Sequence, residues 1–177
     1  MERRAIADLS INDKKIIGRP VVYNSLSENL GGFVEIISAG AFSDSLGGDI
    51  RALVEHDTKL ILGRTKSNTL SIKEDERGLL VEISPPNIQS ARDLMVSIER
   101  GDIAGMSFGF SVPAGGDKWD YSVNPTVRTI TKAVLHEVTI TSLPAYSATD
   151  VQIALRTLNL GLSATNHNHY LSLLELS

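Results

Sequence analysis

The stretch IAGMSFGFSVPAGGD, residues 103–117, decides how this chain is read. Its centre, Gly105-Met106-Ser107-Phe108-Gly109, matches G-x-S-x-G. That pattern marks a nucleophile elbow, a strained turn that exposes a serine between a strand and a helix. The residues that follow decide against an elbow. FGFSV continues with strand formers, and PAGGD (113–117) then reads as a turn, with no helical period. An elbow enzyme also places its acid and then its histidine after the serine, whereas His56 lies before Ser107. Residues 103–112 are therefore expected to form a strand that carries the serine.

Working outward, most of the chain has strand character. KKIIGRPVVYN (14–24) is β-branched, with Gly18 and Pro20 marking a bulge or an edge. FVEII (33–37) alternates. AGAFSDSLGG (39–48) reads as one short helical turn closed by glycines, and IRALVEHD (50–57) as an apolar strand ending on His56-Asp57. Residues 60–86 read as three antiparallel strands with turns at 66–68 and 74–78. NIQSARDLMVSIERGD (87–102) is the one convincing helix. Its Ala91, Leu94, Met95 and Ile98 fall at i, i+3, i+4 and i+7, and Gly101 is placed to cap it. Residues 127–145 supply one or two more strands, and 147–158 a final helix or strand. This pattern predicts an α+β fold, mostly β, with antiparallel pairing.

The chain has 177 residues, which by length is one domain, divided here into a domain over 1–158 and a tail over 159–177. Its 17 basic and 21 acidic side chains are interspersed and give a net charge of −4. No basic stripe of the kind nucleic acid requires is visible, and no apolar run approaches the ~20 residues that span a bilayer. MERRAIADLS lacks the apolar core of a signal peptide. These features predict a soluble, cytoplasmic protein without nucleic-acid or membrane partners. The absence of cysteine removes a thiol nucleophile, a thiolate-bound zinc and any disulfide.

The candidate site residues follow from the chemistry a serine needs. A nucleophilic serine requires a histidine to take its proton and a third group to orient that histidine. Taken alone, Ser107 is either that nucleophile or a polar residue on the solvent face of a strand. His56, at a strand end beside two acids, is either its base or a surface histidine. In LHEVTIT, alternation places His136, Val138 and Ile140 on one face, and Leu135, Glu137, Thr139 and Thr141 on the other. Only one of His136 and Glu137 should then face a given neighbour. His167 and His169 are too weakly spaced to argue for a metal, and neither a metal nor a cofactor is expected.

Three motifs together, HDTKLILGRT (56–65), GMSFGF (105–110) and LHEVTITSLPAYSATDV (135–151), resemble the HK97-like prohead maturation serine proteases of tailed bacteriophages. AGAFSDSL (39–46) and RGLLVEISPP (77–86) match in order and spacing, so the likeness covers about residues 15–151. The resemblance implies an antiparallel β-barrel core with a few surrounding helices, similar to the herpesvirus assembly proteases. It implies a serine endopeptidase that cuts scaffold protein, or the scaffolding segment of the major capsid protein, and also itself. Self-association is a further expectation. The place of action implied is the assembling prohead in the host cytoplasm.

Carried over by motif, Ser107 is the nucleophile, His56 the base and Glu137 the third member. His136 is its rival by analogy with the herpesvirus enzymes, and Asp57 is a further candidate. Backbone N–H groups near Ser107 or around Gly63-Arg64 are the candidate oxyanion donors. The alternatives are a β-rich capsid-assembly or scaffold-binding protein without catalysis, and an unrelated esterase.

Overall fold

The structure is a computed structural model that describes residues 1–6 and 9–142. Its strands are β1 (Glu2–Ile6), β2 (Leu9–Asn12), β3 (Lys15–Val22), β4 (Phe33–Ile37), β5 (Arg51–Val54), β6 (Asp57–Arg64), β7 (Leu70–Asp75), β8 (Gly78–Ile83), β9 (Gly105–Ser111), β10 (Asp117–Asp120), β11 (Thr126–Ile130) and β12 (Val134–Thr141). One helix, α1 (Gln89–Glu99), and two single 3-10 turns complete the described residues. The expected helix or strand at 147–158 and the tail at 159–177 lie outside them.

The strands form three sheets. The largest has the order β1-β9-β12-β5-β6, the second β2-β3-β8-β7 and the third β10-β11-β4. The mostly β expectation therefore holds, and the serine stretch is strand β9 as read. Two features of the expected architecture are corrected. Among the described residues the strands do not close into a barrel, and the pairing is mixed, because β12 runs parallel to β5 and β11 parallel to β4. The three strands expected over 60–86 also divide between sheets: β6 edges the largest, while β7 and β8 pair in the second.

Packing follows the period-two pattern. Met106, Phe108 and Phe110 of β9 turn to the core beside Val138 and Ile140 of β12. Phe42 meets the Phe108 and Phe110 rings edge-on at 5.9 and 6.1 Å. The second sheet adds Ile16, Val21, Leu79, Val81 and Ile83, and α1 adds Ala91, Leu94 and Ile98. Pro20 sits where the β3–β8 register slips between Gly18 and Val21, a bulge that spares the ladder a missing N–H.

A second register slip separates Leu135 from Glu137 on β12. It corrects the alternation at this point: the extra residue turns Leu135 into the core with Val138 and Ile140, away from the face of Glu137.

The first strand is anchored by charge. Arg4 grips Glu35 of β4 through two hydrogen bonds of 2.8 Å, and Arg128 of β11 bonds Glu2, Glu35 and Asp117. Glu2, Arg4, Glu35 and Arg128 are all buried. Buried charges of this kind persist only when mutually paired. No helix among the described residues is long and apolar enough to cross a membrane.

Candidate active site

Ser107 lies at the middle of β9, between Ala5 of β1 and Thr139 of β12. Its neighbours Met106 and Phe108 face the core, so Ser107 and Gly109 face the opposite side of the sheet. That side is covered at this point, for Ser107 is only 3 % exposed. The solvent-face reading of Ser107 therefore fails. So does the elbow: β9 runs on to Ser111, and Ser107 is not among the positive-φ residues.

His56 sits in the two-residue turn between β5 and β6, with Val54 paired to Asp57. Glu55 and His56 have φ of 49° and 58°. A hairpin turn of this hand favours Asn or Gly. For side chains such as Glu and His it stores of order 1–3 kcal/mol each, and it persists because surrounding bonds over-determine it. Those bonds come from β12 and the residue after it. The Glu55 N–H donates to the Ile140 carbonyl at 2.9 Å, and the His56 N–H to Thr139 Oγ1 at 3.0 Å. The Glu55 carboxylate accepts from Thr141 Oγ1 at 2.9 Å and from the Ser142 N–H at 2.7 Å. Burial alone would raise the Glu55 pKa, but the Ser142 and Thr141 bonds and the nearby His56 together hold it below the ordinary value.

Glu137 completes the group. Its Oε1 lies 2.6 Å from His56 Nδ1, and the carboxylate is buried, with Oε2 lacking a hydrogen-bond partner among the described residues. An acid on Nδ1 fixes the ring and leaves Nε2 as the proton-accepting nitrogen. Glu137 is paired in register with Gly109. A Cβ placed on Gly109 would stand 2.5 Å from Glu137 Oε1, so the glycine makes room for the carboxylate. Ser107, Glu137 and Thr139 thus share one sheet face, with His56 brought over it by the turn. Among the described residues no hydrogen bond joins Ser107 to His56, whose ring bonds Glu137.

The other sequence candidates fall elsewhere. His136 Nε2 bonds Ser111 Oγ at 2.8 Å and does not engage His56. Asp57 is exposed, its Oδ1 accepting from the Lys59 N–H. Gly63 and Arg64 lie on β6, three strands from β9, or about 14 Å at the usual strand spacing, too far to serve a carbonyl at Ser107. His167 and His169 lie outside the described residues, among which no cluster of potential metal ligands occurs. Sequence reasoning missed Thr139 and Glu55 as supports of His56. A signal existed, since alternation already placed Thr139 and Thr141 on the Glu137 face.

Comparison with known proteins bears on this geometry. The family profile described as caudovirus prohead serine protease matches residues 2–163. The chain is 33% identical over 129 residues to the prohead protease of Enterobacteria phage HK97, covering 70% of this chain and 54% of that protein. The chain thus spans about half the length of the curated relative it matches. No solved structure matches it. A match over nearly the whole chain, including every strand of the candidate site, leads to one statement: the chain belongs to the caudovirus prohead serine protease family.

Proposed function

We propose that this chain is a serine endopeptidase of phage capsid maturation, with Ser107 as nucleophile, His56 as general base and Glu137 as the group that orients His56. The observation carrying the reading is the 2.6 Å contact between His56 Nδ1 and Glu137 Oε1, on the sheet face that Ser107 shares. His56 Nε2 takes the Ser107 proton as Oγ attacks a peptide carbonyl, and Glu137 stabilises the resulting imidazolium. His56 then protonates the leaving amine, and water, activated by the same ring, releases the acyl group from Ser107.

The substrates proposed are the scaffold protein or the scaffolding segment of the major capsid protein, together with the chain itself. The place is the assembling prohead in the host cytoplasm. A fold related to that of the herpesvirus assembly proteases is part of the proposal; a strand-borne serine supports it.

Co-expression with the phage's capsid protein, followed by mass spectrometry of the products, tests the reading. Cleavage is expected to vanish in Ser107→Ala and in His56→Ala. Cleavage that persists in Ser107→Ala removes the nucleophile assignment. A second reading is favoured by one observation, the direct bond between Ser111 Oγ and His136 Nε2, which makes Ser111 the rival nucleophile. Loss of cleavage in Ser111→Ala with retention in Ser107→Ala would select it.

A further inference from the structure

His56 is attached to β12 at two points. Glu137 holds its ring at Nδ1, and Thr139 holds its backbone at the amide, 3.0 Å from the hydroxyl oxygen. Glu137 and Thr139 are i and i+2 on one strand and so lie on one face. Two fixed points, one on the ring and one on the main chain, set the direction in which Nε2 points. Thr139 is fully buried and is the cross-strand partner of Ser107. Its hydroxyl therefore stands between the strand of the nucleophile and the turn of the base. The turn needs this support, because both of its residues adopt a left-handed backbone without being glycine.

We infer that Thr139 is a positioning residue for the proposed catalytic base: its hydroxyl anchors the His56 amide and so aims Nε2 at Ser107. The inference rests on the reading of His56 as base. It separates two roles on one strand, Glu137 fixing the ring and Thr139 fixing the turn that carries it. Valine matches threonine in shape but lacks the acceptor, so Thr139→Val removes the anchor and keeps the packing. Serine retains the hydroxyl, so Thr139→Ser should rescue.

The test compares the full chain, Thr139→Val, Thr139→Ser and His56→Ala, with Thr139→Ala replacing the valine variant if thermal melting shows that it does not fold. Labelling of Ser107 by a fluorophosphonate probe is followed by peptide mass mapping across a pH series. The His56 ring is followed by proton–nitrogen NMR. Thr139→Val is expected to slow labelling about 10- to 100-fold, the scale of a misplaced catalytic group, and to move the His56 ring resonances. Thr139→Ser is expected to label within about threefold of the unmodified chain, because the amide keeps its acceptor. Wild-type labelling and unmoved ring resonances in Thr139→Val overturn the positioning role, as does equal impairment of the valine and serine variants. If His56→Ala labels Ser107 at the wild-type rate, the base assignment itself fails. If His56→Ala is inert while Thr139→Val behaves as wild type, only the positioning role fails.

Discussion

Strands β9 and β12 carry two serine–histidine neighbourhoods, and they are built in opposite ways. At one end, Ser111 Oγ and His136 Nε2 are in direct contact at 2.8 Å, on an exposed part of the sheet. Partial burial pushes the His136 pKa down, the N-terminal ammonium adds to this, and Glu137 opposes it weakly. Among the described residues no acid bonds its ring. At the other, Ser107 is buried and His56 arrives from a different hairpin, with its ring held by Glu137 and its backbone by Thr139. A hydrogen bond between serine and histidine is thus the easier feature to form. An oriented ring in a covered site is the rarer one, and it is what proton transfer needs. The register slip on β12 lies between them: Glu137 pairs with Gly109, and the extra residue, His136, bonds Ser111.

Five substitutions would break or sharpen this contrast. The largest effect is expected for Glu137→Gln, which keeps the shape but inverts the preferred tautomer of His56: labelling of Ser107 by a fluorophosphonate should fall by about 10³-fold or more. A comparable loss in His136→Gln would instead place the working histidine at the other end. Next is Gly109→Ala, whose methyl would crowd Glu137 Oε1 and push the carboxylate off His56. A loss of about 10- to 100-fold is expected, with a cooperative thermal melt retained, and an unchanged rate would show that the carboxylate relocates freely.

Glu55→Gln has a smaller effect, visible as pH dependence. Glu55 is held below its ordinary 4.5 in the folded chain, so the stability it contributes is complete above that value and disappears as pH falls through the folded pKa. Melting curves should show the unmodified chain losing about 2 °C more than Glu55→Gln between neutral pH and about pH 3, a modest figure because the carboxylate is largely solvated. The opposite sign would remove the Glu55 clamp. Smallest is Ser111→Ala, which should leave labelling of Ser107 within about twofold, as for surface polar changes elsewhere.

Much of this was legible before any coordinates. Ser107 on a strand, the helix within residues 87–102 and the Pro20 bulge all followed from residue order. What escaped has physical reasons. Strand β1 reads ERRAI, and charged residues ordinarily mark a solvated segment. Here Glu2 and Arg4 are buried by pairing with charges far along the chain, which no local pattern reveals. The Leu135 orientation was missed because one inserted residue reverses the alternation for the residues on its far side. The parallel β12–β5 pairing escaped for a related reason: alternation says which face a residue takes but not which strand lies alongside. The turn at Glu55 and His56 carries neither Gly nor Asn, so its tightness is visible only in the bonds that hold it.

The placement of β1 also bears on the order in which the parts of the chain come together. Residues 2–6 find their pairing partners at residues 106–110, and Glu2 finds Arg128 across 126 positions of sequence. Contacts of such separation form late. Until those partners are in place, the β1 segment is suited to water by its own charges. The strand bearing Ser107 gains its outer neighbour only after most of the described chain has been made. The sheet around Ser107 is therefore completed late, with the pairing of β1 and β9.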